Sequence, residues 1–387
     1  MAERIYLDNA ATSFPKPNEV YDFMNEFYRT CGGNPGRSEH CGALETEEMV
    51  LHTRKLLCDL FHGGDPNRVT FSYNASDALN QIIQGVLERG DHVVTSRLEH
   101  NSVLRPLYHM EMEGDIEVTY LPFDGAGYLD PGDVRAAIRK NTKLVILNHA
   151  SNVIGTVQPL AEIGTICRES GVLFAVDASQ TAGVNPIDMQ RMQIDLLAFT
   201  GHKGLLGPTG IGGLCVAENV AIRPTRFGGT GVRSAERFHL EEFPYRLECG
   251  TLNILGVAGL YAGQLWLRKN DPERIHNREM ALWDRLRRGL QAIEGVVTYC
   301  AEGPADKNAV LSFNLTGWEA GDVGAILDVD YGIACRTGLQ CAPLAHRQLG
   351  TDRILGTVRF SLGPFNTEED VDRAVEAVGD IAEIRRR

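Results

Sequence analysis

Apolar residues follow two different spacings along most of this chain, and the two spacings alternate. Short continuous apolar runs predict buried strands, and stretches in which apolar residues recur every three or four positions predict helices. The predicted strands cover 69–73, 92–95, 116–121, 144–147, 172–177 and 195–199. The predicted helices cover 19–28, 44–61, 77–87 and 134–139. Strands that alternate with helices favour an α/β domain with a mainly parallel sheet and helices on both faces.

The alternation weakens in the second half of the chain. The stretch 204–213 is too rich in glycine to predict any regular element. A helical stretch that begins at Leu255 is interpreted as the hinge into a second domain. That domain is predicted to hold a helix at 272–293, strands at 309–315 and 358–362, and a last helix with capping-box spacing at its start, Thr367. We predict a large domain at 18–255 and a small domain at 256–387. The N-terminal segment 1–17 is expected to join the small domain.

A lysine and an aspartate follow two of the predicted strands at the point where each strand ends. Lys203 lies in a short polar turn after one strand, and Asp177 closes another. In an open α/β sheet this edge is where ligands bind, and burial there lowers the pKa of a lysine so that its neutral amine can form a Schiff base. Pyridoxal phosphate uses both groups, an amine for its aldehyde and a carboxylate for its pyridinium nitrogen. The alternatives are a surface lysine and a helix-capping aspartate.

The turn at Asn74, Ala75 and Ser76 opens a predicted helix and is a candidate phosphate seat. Free backbone N–H groups and the helix dipole both attract an anion at such a position. An ordinary helix cap by Ser76 is the alternative. The glycine patterns GxGxxG and GxxxxGK(S/T) do not follow any predicted strand, so Rossmann and P-loop nucleotide sites are disfavoured.

A thiol and an arginine in the second domain complete the candidate chemistry. Cys341 lies in a short turn beside a glycine and a proline, where nearby positive charge such as Arg336 would stabilise its thiolate; plain packing is the alternative. Arg359 alternates with apolar residues on a predicted strand, which suits either a substrate carboxylate or an internal salt bridge. Cys335, Cys341 and His346 lack the paired spacing of a zinc site, so we predict no metal.

Charge and cysteine usage narrow the class of protein. The chain carries 38 lysines and arginines against 51 aspartates and glutamates, a formal charge of -13, which argues against direct binding of nucleic acid or an anionic membrane. Nine cysteines without a CxxC pair favour a reducing compartment. The start does not match a signal peptide, and no apolar run reaches the ~18 residues of a membrane span. We therefore predict a cytoplasmic protein.

Four motifs carry a resemblance to a known family, at 6–12, 177–180, 201–203 and 336–342. With them the sequence resembles the cysteine desulfurase and selenocysteine lyase family, class-V aminotransferase-like enzymes of fold-type I that use pyridoxal phosphate. The resemblance spans nearly the whole chain, and the motif around Cys341 is similar to that of the short-loop subgroup. It implies a large domain with a mainly parallel seven-stranded sheet and a smaller α+β C-terminal domain.

The resemblance also implies a role for each matching residue. Lys203 would bind the aldehyde of the cofactor, His100 would stack on its ring, and Cys341 would be the nucleophile. The implied cofactor-binding set is Ala75, Ser76, His100, Asn152, Asp177, Gln180, Thr200, His202, Lys203 and Thr251. The implied substrate-binding set is Arg359, Asn152 and Arg336. Thr251 would come from the other subunit, so a homodimer is implied.

The implied reaction converts L-cysteine to L-alanine, transfers the sulfur to Cys341 as a persulfide, and passes it to an acceptor protein or thiol, as in iron–sulfur cluster assembly. A second hypothesis is a C–S lyase, selenocysteine lyase or aminotransferase of the same fold without persulfide chemistry. A third is a catalytically idle scaffold in a sulfur-transfer complex. Leu339 and Gln340 replace a common His-His pair before the cysteine, which leaves substrate preference and acceptor open.

Overall fold

The computed structural model describes residues 4–36 and 40–384. Positions 1–3, 37–39 and 385–387 lie outside the described residues. The first of these ranges is part of the N-terminal stretch that was compared with a signal peptide. In chain order the elements are β1 (Ile5–Tyr6), α1 (Asn18–Thr30), α2 (Cys41–Phe61), β2 (Val69–Ser72), α3 (Ala75–Val86), β3 (His92–Ser96), α4 (Asn101–Met112), β4 (Glu117–Leu121), α5 (Pro131–Ala137), β5 (Thr142–Asn148), α6 (Leu160–Ser170), β6 (Leu173–Asp177), β7 (Leu196–Thr200), β8 (Gly212–Val216), α7 (Ile254–Asn270), α8 (Pro272–Gln291), β9 (Val296–Thr298), β10 (Val310–Leu315), α9 (Ala320–Asp330), β11 (Ile333–Ala334), β12 (Arg336–Gly338), α10 (Pro343–Leu349), β13 (Thr357–Ser361) and α11 (Glu368–Ile384).

The large domain is built on a seven-stranded sheet with strand order β2-β8-β7-β6-β5-β3-β4. The strands from β7 to β4 pair in parallel, and β8 runs antiparallel to both of its neighbours, β2 and β7. This confirms the predicted α/β fold with a mainly parallel sheet of seven strands. The register sets Asn148 beside Asp177 and Asp177 beside Ala198, so the ends of β5, β6 and β7 meet at one edge.

Strand β8 contradicts the prediction that 204–213 holds no regular element. Its first two residues are Gly212 and Gly213, which strand propensity disfavours. A Cβ at Gly212 would lie 2.8 Å from the backbone of Asn74. A Cβ at Gly213 would meet the carbonyl oxygen of Thr70 and the ring of Phe199. The glycines are therefore there because neighbouring backbone and the Phe199 ring pack closely against this strand, which is a known reason for glycine inside a sheet.

The helices that spacing predicted are present, with shifted ends. Helices α1, α2, α3, α7, α8 and α11 begin within a few residues of the predicted starts, and α5 begins at Pro131 instead of 134. The predicted capping box is formed, because Thr367 Oγ1 accepts from Asp370 N at 3.2 Å and the Asp370 carboxylate accepts from Thr367 N at 3.0 Å. No prediction covers α4, α6 and α9; in α4 the pattern is interrupted by Pro106. None of the described helices combines the length and apolar character that crossing a bilayer requires.

The small domain has a core of its own. Its sheet has the order β12-β13-β10-β9 with every pair antiparallel, and β1 pairs in parallel with β11. Trp283, Phe313 and Phe360 are fully buried between this sheet and its helices. Ile5 and Leu7 pack into the same core, and we therefore propose that the N-terminal segment belongs with the small domain.

Helix α7 bears on where the two domains divide. Its apolar residues Ile254, Val257 and Leu260 pack into the core under the large sheet, not into the core of the small domain. The next helix, α8, contributes Trp283 to the small-domain core. We therefore propose a boundary between α7 and α8, near Asp271, in place of the predicted boundary at 255/256.

Candidate active site

A cavity of about 260 Å³ lies between the two domains, at the edge where β5, β6 and β7 end. Its lining brings together residues from the whole length of the chain. The predicted site residues among them are Ala75, Ser76, His100, Asn152, Asp177, Gln180, Thr200, His202, Lys203, Arg336, Cys341 and Arg359. Thr251 is exposed and lies outside this lining.

Lys203 follows β7 in a turn that the N-terminal segment holds in place. The carbonyl of His202 accepts hydrogen bonds from Ser13 N at 3.1 Å and Lys16 Nζ at 2.6 Å, and Ser13 Oγ donates to Lys203 O at 3.0 Å. Burial lowers the pKa of Lys203 to about 8, against the opposing charge of Asp177. A substantial fraction of its amine is therefore neutral near physiological pH, which a nucleophilic lysine requires.

Asp177 ends β6 and presents its carboxylate to the same cavity. Its Oδ1 accepts from Ser179 N at 2.9 Å and from the Ser179 hydroxyl, so this oxygen is used in an Asx turn. Oδ2 takes no hydrogen bond from the described residues. The side chain therefore does not cap a helix, and one oxygen is left for a ligand.

His100 is the N-cap of α4, with Nδ1 accepting from Ser102 N at 3.1 Å. Burial lowers the pKa of His100, so the ring is neutral, and a neutral flat ring suits stacking against an aromatic ligand. Glu99 lies directly behind it. Glu99 Oε1 accepts from Ser96 Oγ at 2.6 Å and from Asn148 N at 3.1 Å, and burial raises the pKa of Glu99 to about 8.

The first turn of α3 supports the predicted phosphate seat. Asn74 is the N-cap, because its Oδ1 accepts from Asp77 N at 3.0 Å, so the alternative that Ser76 is an ordinary cap is wrong. The Ser76 hydroxyl instead contacts the hydroxyl of Ser102. In the same cavity lining, Thr200 Oγ1 and His202 Nδ1 are buried and have no hydrogen-bond partner in the described part of the chain. Buried polar atoms are normally paired, so these atoms fit an anionic group such as a phosphate.

Arg359 on β13 is buried and already has partners. Its Nη2 forms an ion pair with Asp8 Oδ1 at 2.6 Å, and its Nη1 donates to Asn152 O at 2.9 Å. Asn152 in turn donates from Nδ2 to Gln340 O at 2.7 Å. The internal salt bridge that the sequence left open therefore exists. It does not remove Arg359 from the cavity lining, where its guanidinium remains the buried cation of the small-domain side.

Cys341 is exposed at the mouth of the cavity. Its φ is 59° and that of Gln340 is 38°, two consecutive left-handed residues that are not glycine. The backbone is fixed by a hydrogen bond from Asn101 N to Cys341 O at 2.7 Å. A thiolate at Cys341 lies close enough to Lys203 to raise the pKa of that lysine, so the two reactive groups share one space.

Arg336 and Cys335 lie next to the reactive groups on the small-domain side. Arg336 is exposed on β12, opposite Arg359 in the sheet register. Burial raises the pKa of the Cys335 thiol to about 12, so this thiol stays protonated at neutral pH. Among the described residues no group of three histidine, cysteine or acidic side chains could hold a metal ion.

The sequence reading missed three groups of site residues. Asp8 belongs to a motif that was recognised, but its pairing with Arg359 was not predicted. Ser13 and Lys16, which hold the lysine turn, follow that motif directly. Gln340 was noted as a departure from a family pattern, but nothing in the sequence shows that its side chain turns inward, onto His346.

Comparisons with known proteins agree with this geometry. The family model for aminotransferase class-V matches residues 5–374. A probable cysteine desulfurase from Methanothermobacter thermautotrophicus is 33% identical over 387 residues, 99% of this chain and 96% of that protein. The cysteine desulfurase IscS of Pectobacterium carotovorum is 35% identical over 97% of this chain and 91% of its own. The apo structure of a cysteine desulfurase from Thermococcus onnurineus has a TM-score of 0.91 and 34% identity, covering 98% of this chain and 95% of the other.

Proposed function

The chain belongs to the class-V aminotransferase family, and we propose that it is a pyridoxal phosphate-dependent cysteine desulfurase, which converts L-cysteine to L-alanine and takes the sulfur onto Cys341. The observation that carries this proposal is the single cavity that holds Lys203, Asp177 and Cys341. The first two suit the cofactor, and the third supplies a thiol that a transaminase or racemase does not need. The three relatives reported above are all named as cysteine desulfurases, one of them as a probable one.

The residues of the large-domain side fit pyridoxal phosphate. Ser76, Thr200 and His202 would hold the phosphate, since two of them offer unpartnered buried atoms beside the N-terminus of α3. Asp177 would pair with the pyridinium nitrogen, and Lys203 Nζ would hold the aldehyde carbon. When bound, the cofactor supplies an electron-accepting ring that stabilises negative charge at the α-carbon of an amino acid. Ala75, His100, Asn152 and Gln180 complete the proposed set.

Arg359 and Lys203 would divide the handling of the substrate. The Arg359 guanidinium, helped by Asn152, would bind the carboxylate of L-cysteine, and exposed Arg336 would add positive charge at the mouth. With a pKa lowered to about 8 by burial, the Lys203 amine can accept a proton from the α-carbon and return it later in the reaction.

Cys341 would take the sulfur in a step that needs no external oxidant. Its thiolate attacks the sulfur of the substrate, a new S–S bond forms, and the substrate C–S bond breaks. The electron pair of that bond stays on carbon, which takes up one proton from water or the site, replacing the one that the Cys341 thiol released on forming the thiolate, and becomes the methyl group of alanine. The terminal sulfur stays on Cys341 as a persulfide, exposed at the mouth for an acceptor protein or thiol.

Assembly and location are further parts of this proposal. Thr251 is exposed and outside the cavity of its own chain, which is compatible with the proposed homodimer in which it reaches the partner's site. A cytoplasmic location rests on the unpaired cysteines, all nine of which are free thiols in the structure.

The test is mass spectrometry of the cofactor-loaded protein after addition of L-cysteine. We expect one added sulfur atom on the peptide that contains Cys341, with alanine released. Cys341→Ser should lose both, and Cys335→Ser serves as the matched control, because that thiol is six positions away, half-buried and outside the cavity lining. Pyruvate without persulfide from Cys341→Ser would show a C–S lyase, and no turnover by any form would favour a scaffold. Comparing selenocysteine with cysteine decides the preferred substrate.

A further inference from the structure

The turn that carries Cys341 is supported from behind by a buried hydrogen-bonded chain. Gln340 directs its side chain away from the cavity mouth into the small domain, where it is 4% exposed. Its Nε2 donates to the carbonyl of Thr357 on β13 at 2.9 Å. His346 on α10 is fully buried, and its Nε2 lies 2.6 Å from Gln340 Oε1. Thr351 Oγ1 lies 2.8 Å from the other ring nitrogen, Nδ1.

The donors and acceptors of this chain can be arranged in one consistent way. Because Gln340 Nε2 donates to a carbonyl, Gln340 Oε1 faces His346 and must accept. His346 therefore carries its proton on Nε2, and Nδ1 accepts from the hydroxyl of Thr351. Burial lowers the pKa of His346 to about 4, so this neutral form is the form present at pH 7. Each polar atom of the Gln340 amide and of the imidazole then has a partner.

The backbone that this chain supports is strained. Gln340 and Cys341 both have positive φ, a conformation that side chains with a Cβ adopt only where the surroundings impose it. Two further hydrogen bonds fix the same turn from the front, Asn152 Nδ2 to Gln340 O at 2.7 Å and Asn101 N to Cys341 O at 2.7 Å. The front contacts come from the large domain, so the rear support is the part that belongs to the domain of Cys341 itself.

We propose that His346 is a positioning residue for sulfur transfer, which holds the Cys341 thiol over the cavity through the side chain of Gln340. This proposal rests on the proposed role of Cys341 as the residue that accepts sulfur. It gives the replacement of a common histidine by Gln340 a physical meaning. The Gln340 amide offers a donor and an acceptor at once, so it can connect Thr357 to His346. A neutral imidazole at position 340 also has one donor and one acceptor, but its two nitrogens lie at a fixed separation.

The experiment measures persulfide formation on Cys341 in a single turnover of the cofactor-loaded protein, together with the rate at which iodoacetamide labels each cysteine in protein without cofactor. His346→Phe removes the donor and keeps a ring. We expect it to slow persulfide formation about 10- to 100-fold at saturating cysteine, because a displacement near 1 Å can cost that much. The cysteine concentration at half-maximal rate should change little, since Arg359 is untouched. His346→Gln, which keeps an amide N–H near the position of Nε2, should restore most of the rate.

Labelling separates misplacement from unfolding. In His346→Phe the iodoacetamide rate at Cys341 should change, while the buried Cys58, Cys167 and Cys215 stay protected as in the unaltered protein. The matched control is His92→Phe. His92 is also fully buried between two threonine hydroxyls, Thr142 at 2.8 Å and Thr119 at 2.9 Å. It lies at the start of β3, whereas the active-site cavity lies at the edge where the parallel strands end. His92→Phe should leave persulfide formation and Cys341 labelling unchanged.

A double variant tests whether His346 acts through Gln340. Gln340→Met removes the amide and keeps the length, and in combination with His346→Phe it should be no slower than Gln340→Met alone. Additive losses would overturn the proposal, as would normal persulfide formation and labelling in His346→Phe. Should His346→Phe fail to fold, Gln340→Met decides alone by the same readouts. Absence of persulfide in the unaltered protein would instead reject the proposed function, and only the labelling of Cys341 would then bear on its positioning.

Discussion

The two walls of the active-site cavity differ in how their polar groups are satisfied. The large-domain wall, at the ends of the sheet strands, leaves Thr200 Oγ1 and His202 Nδ1 buried without a partner among the described residues. The small-domain wall pairs its principal groups internally, Arg359 with Asp8 and Gln340 with His346. Arg359 Nε is also buried without a partner among the described residues, so the difference lies in charge: the cation of the small-domain wall already has its counter-ion, whereas the vacant atoms of the large-domain wall are a hydroxyl oxygen and an imidazole nitrogen.

This difference matches the two kinds of molecule that the site is proposed to hold. Unpartnered buried polar atoms are costly, so a wall that contains them suits a group that stays bound, such as a resident cofactor. A wall whose charges are already paired suits a substrate that comes and goes, because in the proposed role Arg359 would exchange the Asp8 carboxylate for that of the substrate and then return to it. Removal of one partner leaves a buried charge unpaired, and the pair avoids that state between turnovers.

The largest effect should come from the large-domain wall. Lys203→Ala removes the amine that would bind the cofactor and move the α-proton, so we expect turnover to fall on the order of 10³-fold or more. Borohydride reduction of the cofactor-loaded protein should fix the cofactor on Lys203 of the unaltered chain and on no residue of the variant. Lys307→Met is the matched control, because Lys307 is also a buried lysine whose pKa burial lowers. Reduction that fixes the cofactor on Lys307 instead would contradict the proposal that the large-domain wall holds the cofactor through Lys203.

The small-domain wall should respond through substrate affinity. Arg359→Lys keeps the charge and loses the bidentate fork, so KM for L-cysteine should rise about 10- to 100-fold with a smaller change in kcat. Asp8→Asn should behave in the opposite way and leave KM unchanged or lower it, because it removes the competitor for Arg359 while reducing stability. Steady-state kinetics and thermal unfolding of both variants decide. A KM that rises equally in both would show that the Arg359–Asp8 pair acts as one binding unit without exchange.

The same contrast explains how much of the site the sequence could predict. Lys203 and Asp177 each follow an apolar run, and the ends of parallel strands meet at one edge by the geometry of the sheet. The large-domain wall therefore follows from local pattern. Partners on the other wall are set by contacts between distant segments, as with Arg359 on β13 and Asp8 near the start of the chain. No spacing rule relates such positions.

The fold shows a similar limit. Strands β3, β5, β6 and β7 each contain a buried apolar run, which propensity and length identify. Strand β8 escaped because Gly212 and Gly213 serve a close approach to neighbouring chain segments, which is a property of the assembled sheet. The inward turn of Gln340 is hidden for the same reason, since its side-chain partners Thr357 and His346 come beside it only in the folded domain.

A pH titration of Lys203 sharpens the comparison with a smaller effect. Its pKa is lowered by burial from 10.5 to about 8, so the neutral fraction of the amine grows as the pH rises through 8. The rate at which protein without cofactor captures pyridoxal phosphate should therefore rise with pH and reach half its maximum near pH 8. Asp177→Asn should move this midpoint down by about one unit, because the carboxylate favours the charged amine. Ser179→Ala keeps the charge of Asp177 and should leave the midpoint unchanged. A midpoint that is the same in Asp177→Asn and the unaltered protein would contradict an electrostatic interaction between Asp177 and Lys203.

The smallest effect on turnover is expected at Glu279, a buried carboxyl of the small domain, which can be compared with Glu99, a buried carboxyl of the large domain. Glu99 accepts two hydrogen bonds, whereas Glu279 on α8 makes none with the described residues, and burial raises the pKa of Glu279 from 4.5 to about 8. Below pH 4.5 the group is protonated in both the folded and the unfolded chain. Between pH 4.5 and 8 only the unfolded chain releases the proton, so the free energy of unfolding falls as the pH rises, and it levels off above 8.

Glu279→Gln keeps the shape of the side chain and cannot ionise. We expect the unfolding free energy of this variant to fall less between pH 5 and pH 9 than that of the unaltered protein, by up to about 4 kcal/mol, as measured by urea denaturation at both pH values. Glu273→Gln, an exposed carboxyl in the first turn of the same helix, should follow the unaltered protein. Equal pH dependence in Glu279→Gln and the unaltered protein would mean that water or a partner already solvates Glu279. The small-domain side would then carry no uncompensated buried acid among its described residues.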